Sequence, residues 1–469
     1  MKKTNQFSHK IILSLLFVIP LLGNAQTESD KDAPNFIFIL TDDQGWSQLS
    51  STMDAKMEEA KSSYLETPRI NSIGDAGMRF TDGYAPAPLC TPSRRSIQCG
   101  TVPARSGSEF PSIWVPDEHL TIPKALKRAN PDYMCAHFGK WGENMISTPE
   151  SCAYDVSDGL TGNSDGGMPV TLNPGHPNPT HENTPPDYIN NHDPKNTFSL
   201  VEKTIGFMQQ QVRANKPFFV QVSFYAQHLS VVTTEKSLKK YKKKGAPDRA
   251  YSTAWAAMLD DLDQGVGKLL DGLDALGVTD NTYVILMSDN GGRKAIPGGD
   301  INSLPPNYPL SGAKHSVYEG GIRVPFIISG PGIKANSTSH IPIVGYDLLP
   351  TLYELAGGNA QQLPSGIDGV SIKSLFKNPT VELKRFKNAL VFHRPKKGYS
   401  AIRKDNFKLI VKWKNSTEIS KVELYDLSSN PIEDGNELSD KYPEKVKQLK
   451  VELLSYLKSV KAEKPYNFF

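Results

Sequence analysis

The apolar positions of the chain follow two alternating patterns. Continuous apolar runs with β-branched and aromatic members, such as residues 35–40, are typical of strands buried on both faces of a sheet. Such strands are predicted at 35–40, 78–81, 133–138, 217–224, 282–288 and 324–329. Helical periodicity lies between them, at 68–77, 119–129, 198–212, 249–276 and 346–356. Strands that alternate with helices indicate an α/β core with a mostly parallel sheet.

The pattern changes after residue 366. Short segments at 388–392, 399–403, 407–413 and 422–427 predict antiparallel strands, and residues 443–460 predict an amphipathic helix with a proline in its first turn. We therefore expect two domains after a leader segment. The first is an α/β catalytic domain over residues 26–365, and the second is a smaller α+β domain with an antiparallel sheet over residues 366–469.

Two polar segments interrupt the regular elements. Residues 157–194 are rich in Gly, Asn, Pro, Asp and His. A loop of this length inside a compact enzyme is either functional or disordered. Residues 241–245 read Tyr-Lys-Lys-Lys-Gly, and this run of charge predicts an exposed surface loop.

The first 25 residues predict a secretory signal peptide that lies outside the fold. Lys2, Lys3 and Lys10 precede an apolar run at 11–22, and small residues follow it at 23–25. The apolar run is too short to span a bilayer comfortably, and no later segment predicts a transmembrane helix. We therefore expect a protein that is exported to a periplasm or secreted.

Charge and cysteine content narrow the classes of function. The chain has 53 Lys and Arg against 50 Asp and Glu, and loss of the three leader lysines balances the two. A neutral protein argues against nucleic acid as the main partner. Four cysteines in a chain of 469 residues do not make a disulfide framework, although the sequence leaves a Cys135–Cys152 bridge open.

Oxygen-bearing side chains follow two of the predicted strands. Asp42 and Asp43 come after the strand at 35–40, and Asp289 and Asn290 after the strand at 282–288. In a parallel sheet both pairs lie at the same edge, where carboxylates repel one another unless a cation separates them. An all-oxygen set selects Ca²⁺, or Mg²⁺, over zinc. One such pair alone would favour helix capping or a turn, but the recurrence at two strand ends favours a metal site.

Cys90 opens the stretch Cys-Thr-Pro-Ser-Arg, and a short helical run follows that ends at Gly100. A free cysteine is more often a small buried apolar residue than a nucleophile, so composition alone favours a structural role. The five-residue stretch, however, resembles the signature of the type I sulfatases, a family of the alkaline phosphatase superfamily. In that family a maturation enzyme oxidises the cysteine to formylglycine.

Further segments resemble the same family, from about residue 33 to the end of the chain. They occur in the same order along the chain as in the family. They include Thr-Asp-Asp-Gln-Gly-Trp, Phe-Gly-Lys-Trp, Ser-Phe-Tyr-Ala-Gln-His, Ser-Asp-Asn-Gly-Gly and Ser-Gly-Ala-Lys. The resemblance implies an alkaline-phosphatase-like three-layer α/β core with a smaller C-terminal domain. It also implies a formylglycine that hydrates to a geminal diol. One hydroxyl of the diol attacks the sulfur of a sulfate ester, and the other expels sulfate as the aldehyde re-forms.

The resemblance assigns roles to residues that would each be unremarkable alone. A single lysine or arginine is commonly a surface charge, and a single histidine at a strand end is commonly a core residue. Their occurrence together favours the family chemistry. The implied roles are cation binding by Asp42, Asp43, the modified Cys90, Asp289 and Asn290, charge stabilisation by Arg94, Lys140 and Lys314, and sulfate binding with general-acid catalysis by His228.

The chain departs from the family pattern at Gly142. The family has a histidine two residues after the lysine of the Gly-Lys-Trp turn, and that histidine contacts the diol and serves as base in sulfate release. His137 and His315 stand close to matched motifs and are the candidates to replace it. Substituting the true replacement would leave a trapped sulfo-enzyme. Further candidates on the long loop are His176, His181 and His192.

The segment between Lys384 and Lys421 is strongly basic, with twelve Lys and Arg against two acids. Such a segment is either a solvated face of short strands or a wall that binds an anionic chain. His393 and Arg394 stand at the end of a predicted strand. Because arginine suits sulfate and carboxylate groups, we expect this pair to contact the substrate.

Taken together, these features predict an exported, formylglycine-dependent sulfatase that acts on a sulfated polysaccharide or oligosaccharide, of algal or host origin. Its expected partners are that carbohydrate and a formylglycine-generating or anaerobic sulfatase-maturating enzyme, with no nucleic acid and no membrane span. One alternative is a phosphomonoester or phosphonate hydrolase of the same superfamily. The other is a catalytically impaired protein that binds sulfated glycans, an alternative that Gly142 keeps open.

Overall fold

An eight-stranded sheet forms the centre of the protein. The computed structural model describes Met1 and residues 33–106, 109, 119–145, 147–166, 192–385 and 388–465. The predicted signal peptide thus lies almost entirely outside the described residues. The strands of the first part of the chain are β1 (Asn35–Thr41), β2 (Met78–Phe80), β3 (Gly83–Tyr84), β4 (Met134–Gly139), β5 (Val156–Ser157), β6 (Phe218–Ser223), β7 (Thr282–Ser288), β8 (Phe326–Ser329), β9 (Ser337–Ser339) and β10 (Ile343–Val344).

The main sheet is mostly parallel, as the sequence predicts. Its strand order is β5-β4-β6-β1-β7-β8-β2-β9, and the first five of these strands run parallel to their neighbours. Strand β8 is antiparallel to both β7 and β2, whereas β9 is parallel to β2. Strands β3 and β10 form a separate parallel pair.

Helices cover both faces of the main sheet and so give the three layers that the sequence predicts. The helices are α1 (Pro68–Asp75), α2 (Cys90–Cys99), α3 (Ile122–Ala129), α4 (Thr197–Arg213), α5 (Glu235–Lys244), α6 (Thr253–Ala275), α7 (Glu319–Ile322), α8 (Leu348–Leu355), α9 (Lys373–Lys377) and α10 (Pro443–Ser459). Along β1, Ile37 packs in the same apolar cluster as α4 and α6, while Phe36 and Phe38 pack in the cluster that contains α3 and α8. This alternation explains why β1 is apolar at every position from Phe36 to Leu40.

The C-terminal strands form a four-stranded antiparallel sheet, again as predicted. They are β11 (Ala389–Arg394), β12 (Tyr399–Lys404), β13 (Phe407–Trp413) and β14 (Ile419–Asp426), paired in chain order. Leu449 and Leu453 of α10 share an apolar cluster with this sheet and with Tyr84 of β3. The described residues from 33 onward form one compact unit, so the change at residue 366 separates two sheets within that unit.

The Lys-rich segment at 241–245 differs from its prediction. Helix α5 includes Tyr241 and the three lysines that follow, and only Gly245 lies beyond its end. Tyr241 is buried, and its hydroxyl accepts a hydrogen bond from the Glu66 N–H at 2.9 Å. Burial of Tyr241 and Ser237 holds one face of the helix against the protein, while Lys242, Lys243 and Lys244 are exposed.

The structure describes all four cysteines, and its described helices can be tested for their ability to span a membrane. Cys90, Cys99, Cys135 and Cys152 are all buried and free, so the Cys135–Cys152 bridge is not formed. Burial raises the pKa of Cys152 to about 11 and that of Cys135 to about 12. None of the described helices is both long and apolar enough to span a bilayer.

The basic C-terminal segment does not form an open wall of positive charge. Most of its cations pair with carboxylates that other segments contribute, which a count of charges within the segment could not detect. Arg403 of β12, for example, pairs at 2.8 Å with Asp82, which lies in the turn between β2 and β3. The cations paired with carboxylates outside the segment are Arg385, Arg394, Arg403, Lys404, Lys408, Lys412 and Lys421, whereas Lys414 pairs with Glu418 inside it.

Lys408 supports a prediction about stability. Its ammonium is fully buried and lies 2.8 Å from both Glu319 Oε1 and Glu433 Oε1. Lys408→Met would remove the paired cation of the buried Glu433 carboxylate and would leave Glu319 with Arg323 alone, whose Nη1 lies 3.7 Å from Glu319 Oε2. We expect a loss of about 3–5 kcal/mol in the free energy of unfolding, the scale measured for broken buried ion pairs. Urea denaturation followed by fluorescence measures it.

Lys414 of the same segment is the matched control. Its ion pair with Glu418 is more than half exposed at both side chains, 63% and 53%. Lys414→Met should therefore change the free energy of unfolding by less than about 1 kcal/mol. Equal losses in the two variants would contradict a structural role for the buried ammonium of Lys408.

Candidate active site

The acidic side chains predicted from two strand ends lie side by side. β1 and β7 are neighbouring parallel strands that end in register, so Asp42 and Asp289 follow them at the same level of the sheet. The Asp43 N–H donates to Asp289 Oδ1 at 3.2 Å, and Asn290 Nδ2 donates to Asp43 Oδ1 at 2.8 Å. All four side chains are buried. The structure thus forms the oxygen cluster that the sequence predicts.

Three basic side chains each pair with one of the three buried carboxylates. The pairs are Lys140 Nζ with Asp42 Oδ2 at 2.5 Å, Lys314 Nζ with Asp43 Oδ1 at 2.5 Å, and Arg94 Nε with Asp289 Oδ2 at 2.8 Å. Lys140 follows β4, Arg94 lies one helical turn after Cys90, and Lys314 precedes α7. Because neither partner of a buried pair is hydrated, the pairing is needed to offset the burial of these charges.

Burial and pairing act in opposite directions on the acids. Burial alone would raise the pKa of Asp42, but Lys140 and His228 outweigh it, and the pKa lies below its usual value. Against the same effect of burial, Lys314 holds the pKa of Asp43 well below its usual range. Burial raises the pKa of Asp289 to about 6, and the charge of Asp42 adds to that rise. Asp42 and Asp43 are therefore ionised at neutral pH.

The cluster retains oxygens that fit a divalent cation. Asp42 Oδ1, Asp43 Oδ2 and Asn290 Oδ1 are buried and have no hydrogen-bonding partner among the described residues. His228 Nε2 lies 3.9 Å from Asp43 Oδ2, and these two residues with Asp42 offer ligand atoms within 4.8 Å of one another. Buried acceptors without partners are rare, and carboxylate and amide oxygens suit Ca²⁺ or Mg²⁺. The residues present therefore fit such an ion.

Cys90 is the first residue of α2, and the residues that follow it hold this helix end in place. Ser93 Oγ accepts from the Ala87 N–H at 3.0 Å and donates to the Ala87 carbonyl at 2.9 Å. Thr91 Oγ1 donates to the Glu143 carbonyl and accepts from the Glu143 N–H, both at 3.1 Å. The Cys90 sulfur lies 4.0 Å from Thr91 Oγ1. Because helix N-termini favour negative charge, this is a suitable position for an anionic nucleophile.

Arg94 connects the helix of Cys90 to the acid cluster. Its Nη1 donates to the Lys140 carbonyl at 2.6 Å, and its Nη2 lies 3.8 Å from Asp42 Oδ2. Against burial, the neighbouring acids and Cys90 raise the pKa of Arg94 and of Lys140. The sulfur of Cys90 thus belongs to the same electrostatic site as the carboxylates.

His228 lies beyond the end of β6 and faces the same cluster. Its Nδ1–H donates to the Leu229 carbonyl at 2.8 Å, which leaves Nε2 directed toward Asp43. Burial, with the lysines of the site, lowers the pKa of His228 to about 3. Four adjacent parallel strands, β4, β6, β1 and β7, therefore each deliver site residues at their carboxyl ends.

Comparison with protein families decides the class of this site. Residues 34–358 match the family model described as Sulfatase, which covers well over half of the chain. The chain belongs to the sulfatase family. Residues 313–461 also match a model described as N-sulphoglucosamine sulphohydrolase, C-terminal. As a member of this family, the protein is a sulfuric ester hydrolase.

Individual relatives agree with that assignment along most of the chain. A protein named Sulfatase from Formosa agariphila is 28% identical, over 92% of this chain and 89% of the relative. A second protein from that organism, named Ulvan-active sulfatase, is 25% identical over 80% of this chain and 71% of its own. The crystal structure of Ps i-CgsB in complex with k-i-k-neocarrahexaose has a TM-score of 0.73 at 24% identity, covering 93% and 95% of the two chains. That likeness confirms the alkaline-phosphatase-like fold.

At Gly142 this sulfatase has a glycine that is closely packed. A Cβ built there would lie 2.9 Å from Met145 Cγ and 3.8 Å from Thr91 Oγ1, so a larger residue requires Met145 to move. His137 is fully buried, with Nε2 3.2 Å from Ser223 Oγ, and burial lowers its pKa to about 3. Among the described residues, neither His137 nor His315 hydrogen-bonds to Cys90. The role of the group that releases sulfate therefore stays a prediction for both histidines. Of the loop candidates, His192 is exposed, and His176 and His181 lie outside the described residues.

The two residues predicted to contact substrate have different surroundings in this sulfatase. His393 is buried, and both of its ring nitrogens are engaged, with Ser400 Oγ at 2.8 Å and the Glu463 carbonyl at 2.7 Å. It therefore holds the end of the chain against β12 and has no free nitrogen to offer to a ligand. Arg394 Nη2 lies 3.4 Å from His315 Nδ1, beside Lys314, and its guanidinium pairs with Glu109.

Sequence reasoning missed two basic residues near the acid cluster of this sulfatase. Arg293 Nη1 lies 3.8 Å from Asp43 Oδ2, and its position just after Asp289-Asn290-Gly-Gly was a usable signal. Lys195 is buried, and the carboxylates of Asp42 and Asp43 act on it. The only sequence signal for Lys195 was its place at the end of the long polar loop.

Proposed function

We propose that this protein hydrolyses sulfate esters of a sulfated polysaccharide or oligosaccharide, using a formylglycine made from Cys90 and a divalent cation. The observation that carries the proposal is that Cys90, the three carboxylates and their basic partners meet at one edge of the sheet. Ca²⁺ is the expected ion, with Mg²⁺ as the alternative, because the orphaned ligand atoms are all oxygens.

The charges of the site favour an anionic substrate. Asp42, Asp43 and Asp289 are matched by Lys140, Lys314 and Arg94, and Arg293 adds a further positive charge 3.8 Å from Asp43 Oδ2. A divalent ion held by the oxygens of Asp42, Asp43, Asp289 and Asn290, with residue 90, would leave the site positive and would polarise a bound sulfate group. Formylglycine would supply a hydrated aldehyde that attacks sulfur through one hydroxyl and releases sulfate through the other.

The remaining residues have roles that follow from where their polar atoms lie. Arg94 connects the helix of the nucleophile to the acids. Lys140 and Lys314 lie where they could stabilise negative charge on the sulfuryl oxygens. His228 donates its Nδ1–H to the Leu229 carbonyl, so Nε2 would have to take up a second proton as the sulfate ester binds; the Nε2–H would then bind the sulfate group and pass its proton to the leaving alkoxide.

A sulfated carbohydrate is the proposed substrate because similar proteins act on or bind such carbohydrates. One relative is named an ulvan-active sulfatase, and a solved structure of similar fold holds a neocarrahexaose. The test is to incubate matured enzyme with a panel of sulfated oligosaccharides and to measure inorganic sulfate. Release from at least one member is expected, and no release from any member would contradict the substrate class.

The two alternatives make different predictions in the same assay. A sulfate ester and a phosphate ester of one alcohol should be compared, and faster hydrolysis of the phosphate ester would favour a phosphomonoester or phosphonate hydrolase. Glycan binding without sulfate release, by protein whose residue 90 is formylglycine, would favour an impaired glycan-binding protein. Gly142 is the feature that would then account for the lost turnover.

Arg394 is proposed as a contact for the substrate beyond its sulfate group. Arg394→Ala should raise KM for the natural glycan by about tenfold or more, and KM for a small aryl sulfate much less, because only the glycan reaches this residue. Since Glu109 loses its buried partner in this variant, the double variant Arg394→Ala/Glu109→Gln serves as the control for stability. Equal effects on both substrates would rule out this role.

We propose export as the setting and a maturation enzyme as a partner. The charged and apolar pattern of residues 1–25 supports export to a periplasm or beyond, and N-terminal sequencing of the mature protein tests it. The Cys-Thr-Pro-Ser-Arg stretch supports conversion by a formylglycine-generating or anaerobic sulfatase-maturating enzyme. Co-expression with and without such an enzyme should change the fraction of active protein.

A further inference from the structure

Lys195 is a buried cation that none of the matched motifs includes. It is 3% exposed, and its Nζ has no hydrogen-bonding partner in the part of the chain that the structure describes. Burial lowers the pKa of Lys195 to about 7. Because a buried amine without partners is strongly unfavourable, its presence calls for a group that supplies acceptors when it binds.

The backbone around Lys195 is held firmly. Asn196 Nδ2 donates to the Asp165 carbonyl at 2.7 Å, which fixes one side of the turn. Asp193 Oδ1 accepts from the Phe198 N–H at 2.7 Å, which fixes the other side to the start of α4. Lys195 itself has φ of 58°, a left-handed conformation that a non-glycine residue adopts only when its surroundings impose it. The turn therefore presents the lysine in one place.

The charged groups that act on Lys195 all belong to the active site. The carboxylates of Asp42 and Asp43 favour its charged form, and the Lys140 ammonium disfavours it. Lys140 and Lys314 already pair with one oxygen of each of these acids. The remaining oxygens are the ones that fit a cation. The N–H groups of Lys195 Nζ therefore take no part in the ion pairs that the described residues of the site form with one another.

We propose that Lys195 is a sulfate-binding residue of the active site, which donates hydrogen bonds to an oxygen of the sulfuryl group. The inference rests on the proposed function and deepens it by adding a third lysine to Lys140 and Lys314. A sulfate ester and inorganic sulfate both carry the acceptors that Nζ lacks in the described part of the protein. A compact ammonium suits a single sulfate oxygen, and charge-assisted hydrogen bonds of this kind are strong.

Lys195→Met tests the inference, because methionine keeps the length of the side chain and removes its donors. Lys203→Met is the matched control, since Lys203 lies on α4, is 53% exposed and pairs with Asp158. The measurements are inhibition of matured enzyme by inorganic sulfate, and kcat and KM on a small aryl sulfate. We expect Lys195→Met to weaken sulfate inhibition by about tenfold or more and to raise KM similarly, on the scale of one hydrogen bond to a charged group. Lys203→Met should stay within twofold of wild type.

Thermal unfolding separates binding from a structural role. Because Nζ has no partner among the described residues, Lys195→Met should leave the unfolding midpoint without sulfate unchanged or raise it. The upward shift that added sulfate produces should shrink in this variant. Lys195→Arg, which restores donors and charge, should recover part of both the inhibition and the shift.

The opposite pattern overturns the inference. A lowered midpoint in the free variant, together with sulfate inhibition within twofold of wild type, would make Lys195 a structural residue. That result would leave the proposed function intact, provided that wild-type protein releases sulfate from an ester. Wild-type protein that neither hydrolyses a sulfate ester nor binds sulfate would overturn the proposed function and this inference together.

Discussion

Cys90→Ala should abolish sulfate release while leaving the fold unchanged. We expect kcat to fall by about 10⁴-fold or more, the scale on which loss of a covalent nucleophile impairs an enzyme. The free energy of unfolding should change by no more than about 1 kcal/mol, because the Cys90 side chain is small and its nearest polar contact is Thr91 Oγ1 at 4.0 Å. Sulfate release from an aryl sulfate, thermal unfolding and the mass of the peptide that contains residue 90 are the three measurements.

Cys99 provides the matched control within the same helix. It is the last residue of α2, is fully buried, and burial raises the pKa of its thiol far above the usual value. Cys99→Ala should retain activity, and the peptide that contains residue 99 should keep the mass of an unmodified cysteine. An active wild-type preparation with an unmodified Cys90, or a Cys90→Ala variant within tenfold of wild type, would contradict the formylglycine mechanism.

The part of the site that sequence could predict is the part that secondary structure positions directly. Asp42, Asp43, Asp289 and Asn290 each follow a buried apolar run, and a parallel sheet requires that the carboxyl ends of neighbouring strands meet. The in-register end of β1 and β7 fulfils this expectation. Lys140 and His228 follow β4 and β6 in the same way, so one sheet edge explains most of the cluster.

The parts that sequence could not predict depend on contacts between distant segments. The cations of residues 384–421 suggest either a solvated face or a basic wall, yet Arg403 pairs with Asp82, in the turn after β2, and Lys408 pairs with Glu319 of α7. Lys195 shows the converse, because its segment reads as a polar loop and only the fold places it among buried acids. A one-dimensional count of charge does not reveal which ions the fold neutralises and which it leaves unpaired.

Asp42→Asn should remove both an ion pair and a cation ligand. Asp42 is fully buried, its Oδ2 lies 2.5 Å from Lys140 Nζ, and its Oδ1 has no partner among the described residues. We expect a loss of about 3–5 kcal/mol in the free energy of unfolding, because the Lys140 ammonium loses its nearest countercharge. We also expect the variant to lose most of the stabilisation by added Ca²⁺ and its sulfatase activity.

The double variant Asp42→Asn/Lys140→Met separates these two effects. Removing both partners of the buried pair should recover much of the stability, because no unpaired ammonium remains. It should not recover the response to Ca²⁺, since the cation still lacks the Asp42 carboxylate. For wild type, a chelator should lower the unfolding midpoint and Ca²⁺ should restore it. Ca²⁺ at a hundred times its Kd should raise the free energy of unfolding by about 2.7 kcal/mol. A wild-type midpoint that ignores both chelator and Ca²⁺, or a double variant that responds as wild type does, would contradict a cation site at Asp42. The orphaned oxygens of Asp43 and Asn290 would then require another partner.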